Sequence, residues 1–180
     1  MRVYLDNAAT TPMHKEVIET MAQAMQELFG NPSSIHAEGR KVRASLEDAR
    51  KRIAHHIGAS IGEVFFTSGG TEANNMAIKC SVRDLGVKRI ISTAIEHHCG
   101  LHAFESVVKH KGVELILLDI DAAGNIDLKQ LENYLQADSA KTLVSLMHAN
   151  NEIGTMHDLE AIGELCATYN AYFHSDTVQT

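Results

Sequence analysis

The sequence predicts an α/β protein built on a mainly parallel sheet with helices on both faces. Two observations carry that prediction. From Glu63 onward short apolar runs alternate with stretches of helical periodicity, and the composition is that of an ordinary globular chain: 180 residues, 44% hydrophobic, 22% charged, with only 2 Pro. Strand followed by helix, repeated, makes parallel neighbours whose crossover helices cover the sheet.

The elements follow in chain order. Arg2–Leu5 is a short apolar strand candidate, and Asp6–Pro12 is turn-like. Glu16–Phe29 places Val17, Ile18, Met21, Met25 and Leu28 at helical spacing, with Gly30 as C-cap and Pro32 behind it. Ala44–Ile57 is a second amphipathic helix, apolar at Leu46, Ala49, Ile53 and Ile57, wet at Glu47, Arg50, Lys51 and Arg52, and stopped by Gly58. Five strands are then expected at Val64–Thr67, Arg89–Thr93, Val113–Leu118, Thr142–Met147 and Ala171–His174. Helices are expected between them, over Glu72–Leu85, Leu101–Lys111, Leu128–Leu135 and Leu159–Tyr169. No linker or internal repeat interrupts the alternation, and the length suits one domain.

Composition also sets exclusions. Lys and Arg number 16 against 23 Asp and Glu, a formal net charge of −7, and the basic residues are scattered, so nucleic acid is not an expected partner. Apolar stretches such as Val113–Leu118 fall far short of the roughly 18 residues a bilayer span requires, and the N-terminus lacks a basic-then-apolar signal. A cytoplasmic protein without membrane contact is expected. Cys80, Cys99 and Cys166 are an odd number without paired spacing, which suits reduced thiols.

In parallel sheets ligands bind outside the carboxyl ends of the strands, so the loops leaving the strands carry the candidate chemistry. Thr67-Ser68-Gly69-Gly70-Thr71-Glu72 opens a helix, and its glycines, free N–H groups and Thr71 hydroxyl suit an anion such as phosphate. It is neither a Walker motif nor G-x-G-x-x-G, and a tight turn with Thr71 as N-cap would use the same residues. Ile95-Glu96-His97-His98-Cys99-Gly100 offers a histidine that could stack on a ring or move a proton, or a solvated loop. Met147-His148-Ala149-Asn150-Asn151-Glu152-Ile153-Gly154 offers asparagines that fit a carboxylate or phenolic oxygen, or a self-satisfied turn. Asp176, leaving the apolar strand ahead of Thr177-Val178-Gln179-Thr180, suits a cationic partner such as a protonated heterocyclic nitrogen; the alternative is an N-cap. An anion cradle, a stacking His, an Asn and an Asp at four strand ends are together the requirements of a phosphorylated pyridine cofactor. A zinc site on His97, His98, Cys99 and His148 lacks H-E-x-x-H spacing.

These motifs resemble the cysteine desulfurases of the NifS/IscS type, within the class V aminotransferase-like enzymes that use pyridoxal 5'-phosphate. The resemblance spans the chain: Tyr4-Leu5-Asp6-Asn7-Ala8-Ala9-Thr10-Thr11-Pro12, Gly30-Asn31-Pro32-Ser33-Ser34 with His36, Gly39 and Arg40, the Phe66–Glu72 run, Glu96-His97, the Met147–Gly154 run, and His174–Thr180. It implies the incomplete large domain of a fold-type I pyridoxal-phosphate transferase over residues 13–180, with residues 1–12 packing against a small domain. It further implies that Gly70 and Thr71 hold the cofactor phosphate, that His97 stacks on the pyridine ring and assists proton transfer, and that Asp176 pairs with the pyridine nitrogen. Asn151 and Gln179 would contact the phenolic oxygen, Asn151 alternatively the substrate carboxylate.

The implied reaction converts L-cysteine to alanine and an enzyme persulfide, whose sulfur passes to an acceptor such as an iron–sulfur scaffold protein. The implied complete protein is a homodimer. The family's cofactor-binding Lys, persulfide-forming Cys and substrate-binding Arg have no counterpart in these 180 residues. The resemblance therefore implies a partial desulfurase that retains cofactor affinity and does not catalyse alone. Selenocysteine lyases, and a half-protein that acts by binding a complementary chain, share these motifs and remain open.

Overall fold

The computed structural model describes residues 1–180, which form two compact units, residues 1–66 and 67–180. The first unit holds α1 (Lys15–Glu27), α2 (Ala37–His56) and a 3-10 turn (Ile61–Glu63). The second unit alternates helix and strand: α3 (Gly70–Arg83), β1 (Arg89–Thr93), α4 (His98–Lys111), β2 (Glu114–Leu118), α5 (Leu128–Gln136), β3 (Thr142–Ser145), α6 (Leu159–Thr168) and β4 (Tyr172–His174).

Arg2–Leu5 is exposed and pairs with no strand, and Val64–Thr67 is likewise unpaired. Both runs have the apolar content of a strand, but a strand exists only where another chain segment completes its hydrogen-bond ladder. Helix α2 begins seven residues before the expected start. His36 caps it by accepting the Gly39 N–H on Nδ1 at 3.3 Å. The polar first turns on this exposed helix need no apolar stripe, so periodicity gave no signal there. Leu28, not Gly30, is the C-cap of α1. Gly30 serves close approach instead: a Cβ there would lie 2.6 Å from the carbonyl carbon of Glu38, and one on Gly39 would lie 2.5 Å from the Asn31 oxygen.

In the second unit the sheet order is β2-β1-β3-β4 and every pairing is parallel, with Ile91 opposite Ile116 and Val144, and Val144 opposite Phe173. All five residues of β1 and all four of β3 are buried, because helices cover both faces. Ile90 and Leu143 face one core with Ile78 of α3 and Ala103, Phe104 and Val107 of α4. Ile91 and Val144 face the other, with Leu131 and Leu135 of α5 and Ile162 and Cys166 of α6. Successive strand residues thus serve opposite cores, which is why the runs are continuously apolar. At the amino end of β1, Arg89 donates to Glu114 at 2.7 Å and Asp138 at 3.0 Å, tying β2 and the loop after α5 to the central strand. Both carboxylates hold its guanidinium above the ordinary range of basicity. No helix is long and apolar enough to cross a membrane.

Candidate functional site

The chain leaves β1 for β2 on one side of the sheet, then crosses back so that β3 and β4 extend the other side. The loops after β1 and β3 therefore diverge, and a crevice opens between the carboxyl ends of those two strands. A cavity of about 200 Å³ lies there, lined among others by Glu96, His97, Asn150 and Asn151.

Glu96 joins the two loops. Its carboxylate accepts the Met147 N–H at 2.9 Å and the Thr93 hydroxyl at 3.0 Å, and Asn150 donates across the same gap to the Ile95 carbonyl at 2.7 Å. Burial pushes Glu96 up to about 7, against the opposing pull of those two donors, with the charge of Asp176 adding to the rise. Asn150 also accepts the N–H groups of Glu152 and Ile153, so it shapes the turn while its half-buried neighbour Asn151 faces the cavity. Asn150 thus takes the self-satisfied turn role that the sequence left open, and both asparagines line the cavity.

Helix α3 starts at Gly70, and its N-cap is Gly69 rather than Thr71. The first intrahelical bond runs from Ala73 N–H to Gly69, so the N–H groups of Gly70, Thr71 and Glu72 precede the helical ladder. Thr71 is exposed with its hydroxyl on this first turn. Glu72 turns back to accept the Ser68 N–H at 2.7 Å and hydroxyl at 2.6 Å, fixing the turn ahead of the helix, and those donors lower its pKa. A Cβ on Gly70 would approach Val178 Cγ2 to 2.8 Å, which brings the α3 start against the segment after β4.

That segment holds Asp176, half-buried, with its backbone carbonyl accepting the His148 N–H at 2.9 Å. Its Oδ1 accepts the Val178 N–H at 3.0 Å, a local turn rather than a helix cap. Its Oδ2 accepts from Asn74 Nδ2 at 2.6 Å. The same amide nitrogen lies 3.2 Å from Cys99 Sγ, and that sulfur lies 3.0 Å from His97 Nδ1. A continuous path thus joins α3, the β4 end and the α4 start.

His97 is the N-cap of α4, exposed, with Nδ1 accepting the Cys99 N–H at 3.3 Å. Gln179 is exposed in the closing turn, Thr177–Thr180. The fold brings Gly70, Thr71, His97, Asn151 and Asp176 to the carboxyl end of one sheet. Asn74 is the contributor that the local strings did not mark, a buried helix residue whose partners are distant in sequence; Glu96 and Cys99 stood in a marked string, but their contacts to Met147 and Asn74 come only from the fold. The candidate metal ligands diverge: the His97 and His98 rings stand edge to face at 6.2 Å, and His148 bonds the Thr180 hydroxyl at 2.9 Å. No group of three or more His, Cys, Asp or Glu side chains is placed to hold a metal ion.

The arrangement offers a helix start for an anion, a carboxylate for a cation and a ring nitrogen for proton exchange, all at the switch point of a parallel sheet. The family model described as aminotransferase class-V matches residues 3–180. A protein named cysteine desulfurase IscS from Dictyoglomus turgidum is 47% identical over 99% of the chain and 45% of its own length. Another protein of that name, from Methanosarcina thermophila, is 44% identical over 98% of the chain and 44% of its own length. Among solved structures, a NifS-like protein superposes with a TM-score of 0.91 at 36% identity, over 100% of this chain and 50% of its own. One described as SspA in complex with cysteine superposes with a TM-score of 0.86 at 34% identity, over 98% of this chain and 51% of its own. The chain spans about half the length of the curated relatives it matches.

Proposed function

The chain belongs to the class-V aminotransferase family, and from that membership we propose that its 180 residues form the cofactor-binding part of a pyridoxal-phosphate-dependent cysteine desulfurase. The observation that carries the proposal is the meeting of the α3 start, His97, Asn151 and Asp176 at one sheet edge. The desulfurase names of the relatives support the activity, and the cysteine complex described for one structural neighbour supports L-cysteine as substrate.

The residues fit pyridoxal 5'-phosphate by their chemistry. The N–H groups that precede the α3 ladder, with the Thr71 hydroxyl, suit a dianionic phosphate, and Gly70 leaves the backbone bare where Val178 crowds it. Asp176 keeps lone pairs free beyond those used by Asn74 and Val178, which suits a protonated pyridine nitrogen. When bound, the cofactor supplies an electron sink for the substrate's α-carbon.

The chain's own residues then have separate tasks. Asp176, held in place by donors from Asn74 and the Val178 N–H, would pair with the ring nitrogen. His97 lies over the cavity and moves a proton through its imidazole, while Asn151 and Gln179 orient oxygen atoms of cofactor or substrate. Glu96 holds the two loops that carry His97 and Asn151 at a fixed separation. The reaction proposed for the complete protein breaks the Cβ–S bond of L-cysteine to leave alanine and an enzyme persulfide, whose sulfur passes to an acceptor such as an iron–sulfur scaffold protein. In this reading residues 1–12 pack with a small domain, and the complete protein works as a cytoplasmic homodimer.

Titration of the chain with pyridoxal 5'-phosphate, followed by absorbance and fluorescence, tests the proposal. Saturable binding is expected, weakened about tenfold or more in Asp176→Asn. The chain alone should release no alanine from L-cysteine. Absence of saturable binding overturns the proposal, and alanine production at family rates overturns the division of labour.

A further inference from the structure

We propose that Cys99 is a positioning residue for His97: with Asn74 behind it, the thiol holds the ring in its Nε2–H tautomer, so that Nε2 is the nitrogen His97 presents to a ligand. The inference rests on the reading of His97 as a ligand-facing residue and adds which atom does the facing.

The assignment follows from counting donors along the buried path. Asp176 Oδ2 is a carboxylate oxygen and only accepts, so the Asn74 atom 2.6 Å away is its amide nitrogen. That nitrogen has two hydrogens; one serves Asp176, and the second is directed at Cys99 Sγ at 3.2 Å. Sulfur is then the acceptor toward Asn74, which leaves its own S–H free for its other neighbour. That neighbour is His97 Nδ1, at 3.0 Å. The backbone N–H of Cys99 also points to Nδ1, at 3.3 Å.

Two donors on one nitrogen require a lone pair there, so of the two neutral tautomers only the one protonated at Nε2 satisfies the contacts. An Nδ1–H would meet the backbone N–H head on and strand the thiol proton. Cys99 is buried while His97 is exposed, so the setting contact is sheltered and the far side of the ring is open. The path also couples the two ends of the candidate site. Asp176 orients Asn74, Asn74 orients the thiol, and the thiol orients the ring.

The test reads ring nitrogen-15 shifts of His97 in the cofactor-free chain, above the pH at which the ring is neutral. It covers wild type, Cys99→Ala and Cys99→Ser. Wild type should show Nδ1 unprotonated, with a ratio of Nε2–H to Nδ1–H tautomer about fivefold higher than in Cys99→Ala, the worth of one typical hydrogen bond. Cys99→Ser, which keeps a donor, should restore most of that ratio. A side chain that merely filled space would leave the ratio unmoved and would not separate Ser from Ala. An Nδ1–H majority in wild type, or equal ratios in wild type and Cys99→Ala, overturns the inference. The wild-type spectrum decides the first point even if a variant fails to fold. Because no cofactor is added, this outcome is independent of whether the chain binds pyridoxal 5'-phosphate.

Discussion

Asn74 and Asp176 are 102 positions apart in sequence and 2.6 Å apart in space, joined by an amide N–H donated to a carboxylate. The bond ties the first helix of the second unit to the end of its last strand. A charge-assisted bond at a half-buried carboxylate contributes about 1.5–3 kcal/mol. Asn74→Ala is therefore expected to weaken pyridoxal 5'-phosphate binding by roughly tenfold or more in a fluorescence titration. A dissociation constant equal to that of wild type would mean that Asp176 keeps its place and charge unaided.

Glu96 gives stability a pH dependence whose sign is determined. Burial raises its folded pKa to about 7 from an ordinary value near 4.5. Below about 4.5 the carboxyl is protonated in both states and its contribution is fully present. Between 4.5 and 7 the unfolded chain gives up the proton more readily, so the contribution falls as pH rises and is lost above the folded value. The loss is on the order of 3 kcal/mol. In Glu96→Gln the amide stays neutral, and urea unfolding between those pH values should lose that part of its slope; equal slopes in the two proteins would contradict the assignment.

Gly30 tests close approach in the first unit. A Cβ there meets backbone atoms of Glu38, which cannot swing aside as a side-chain end could. Gly30→Ala should cost about 1–3 kcal/mol by overpacking. Gly62→Ala, where a Cβ meets nothing within 4 Å, should stay within about 0.5 kcal/mol of wild type. Thermal unfolding of the two variants side by side decides between steric and purely conformational roles.

The two cores of the second unit should respond alike to truncation, although they lie on opposite faces of the sheet. Phe104 is 1% exposed in one and Leu131 is 0% exposed in the other. Phe104→Ala should cost about 3–5 kcal/mol and Leu131→Ala about 2–5 kcal/mol, seen as lowered urea midpoints. A near-neutral result for either would show that its helix does not share in the cooperative unit.

What the sequence determined by itself was the alternation of strand and helix, because periodicity and continuous apolar runs report burial directly. Arg89–Thr93 is found where it was expected, and β2, β3 and β4 differ from expectation only at their ends. Gly70, Thr71, His97, Asn151 and Asp176 could be singled out as candidates because they stand in loops after strands or at the first turn of a helix, where polar residues are not demanded by packing. Only the tertiary structure decided that Val64–Thr67 pairs with nothing, since a ladder needs a second strand that no local string specifies. It alone decided that Asn150 is the asparagine that shapes the turn. It alone showed Asn74, an ordinary residue of an amphipathic helix, and it alone set Asn74 and Cys99 between Asp176 and His97. Hydrophobic pattern acts within a few residues and can be read along the chain; hydrogen bonds across a sheet edge join residues whose proximity exists only after the core has closed.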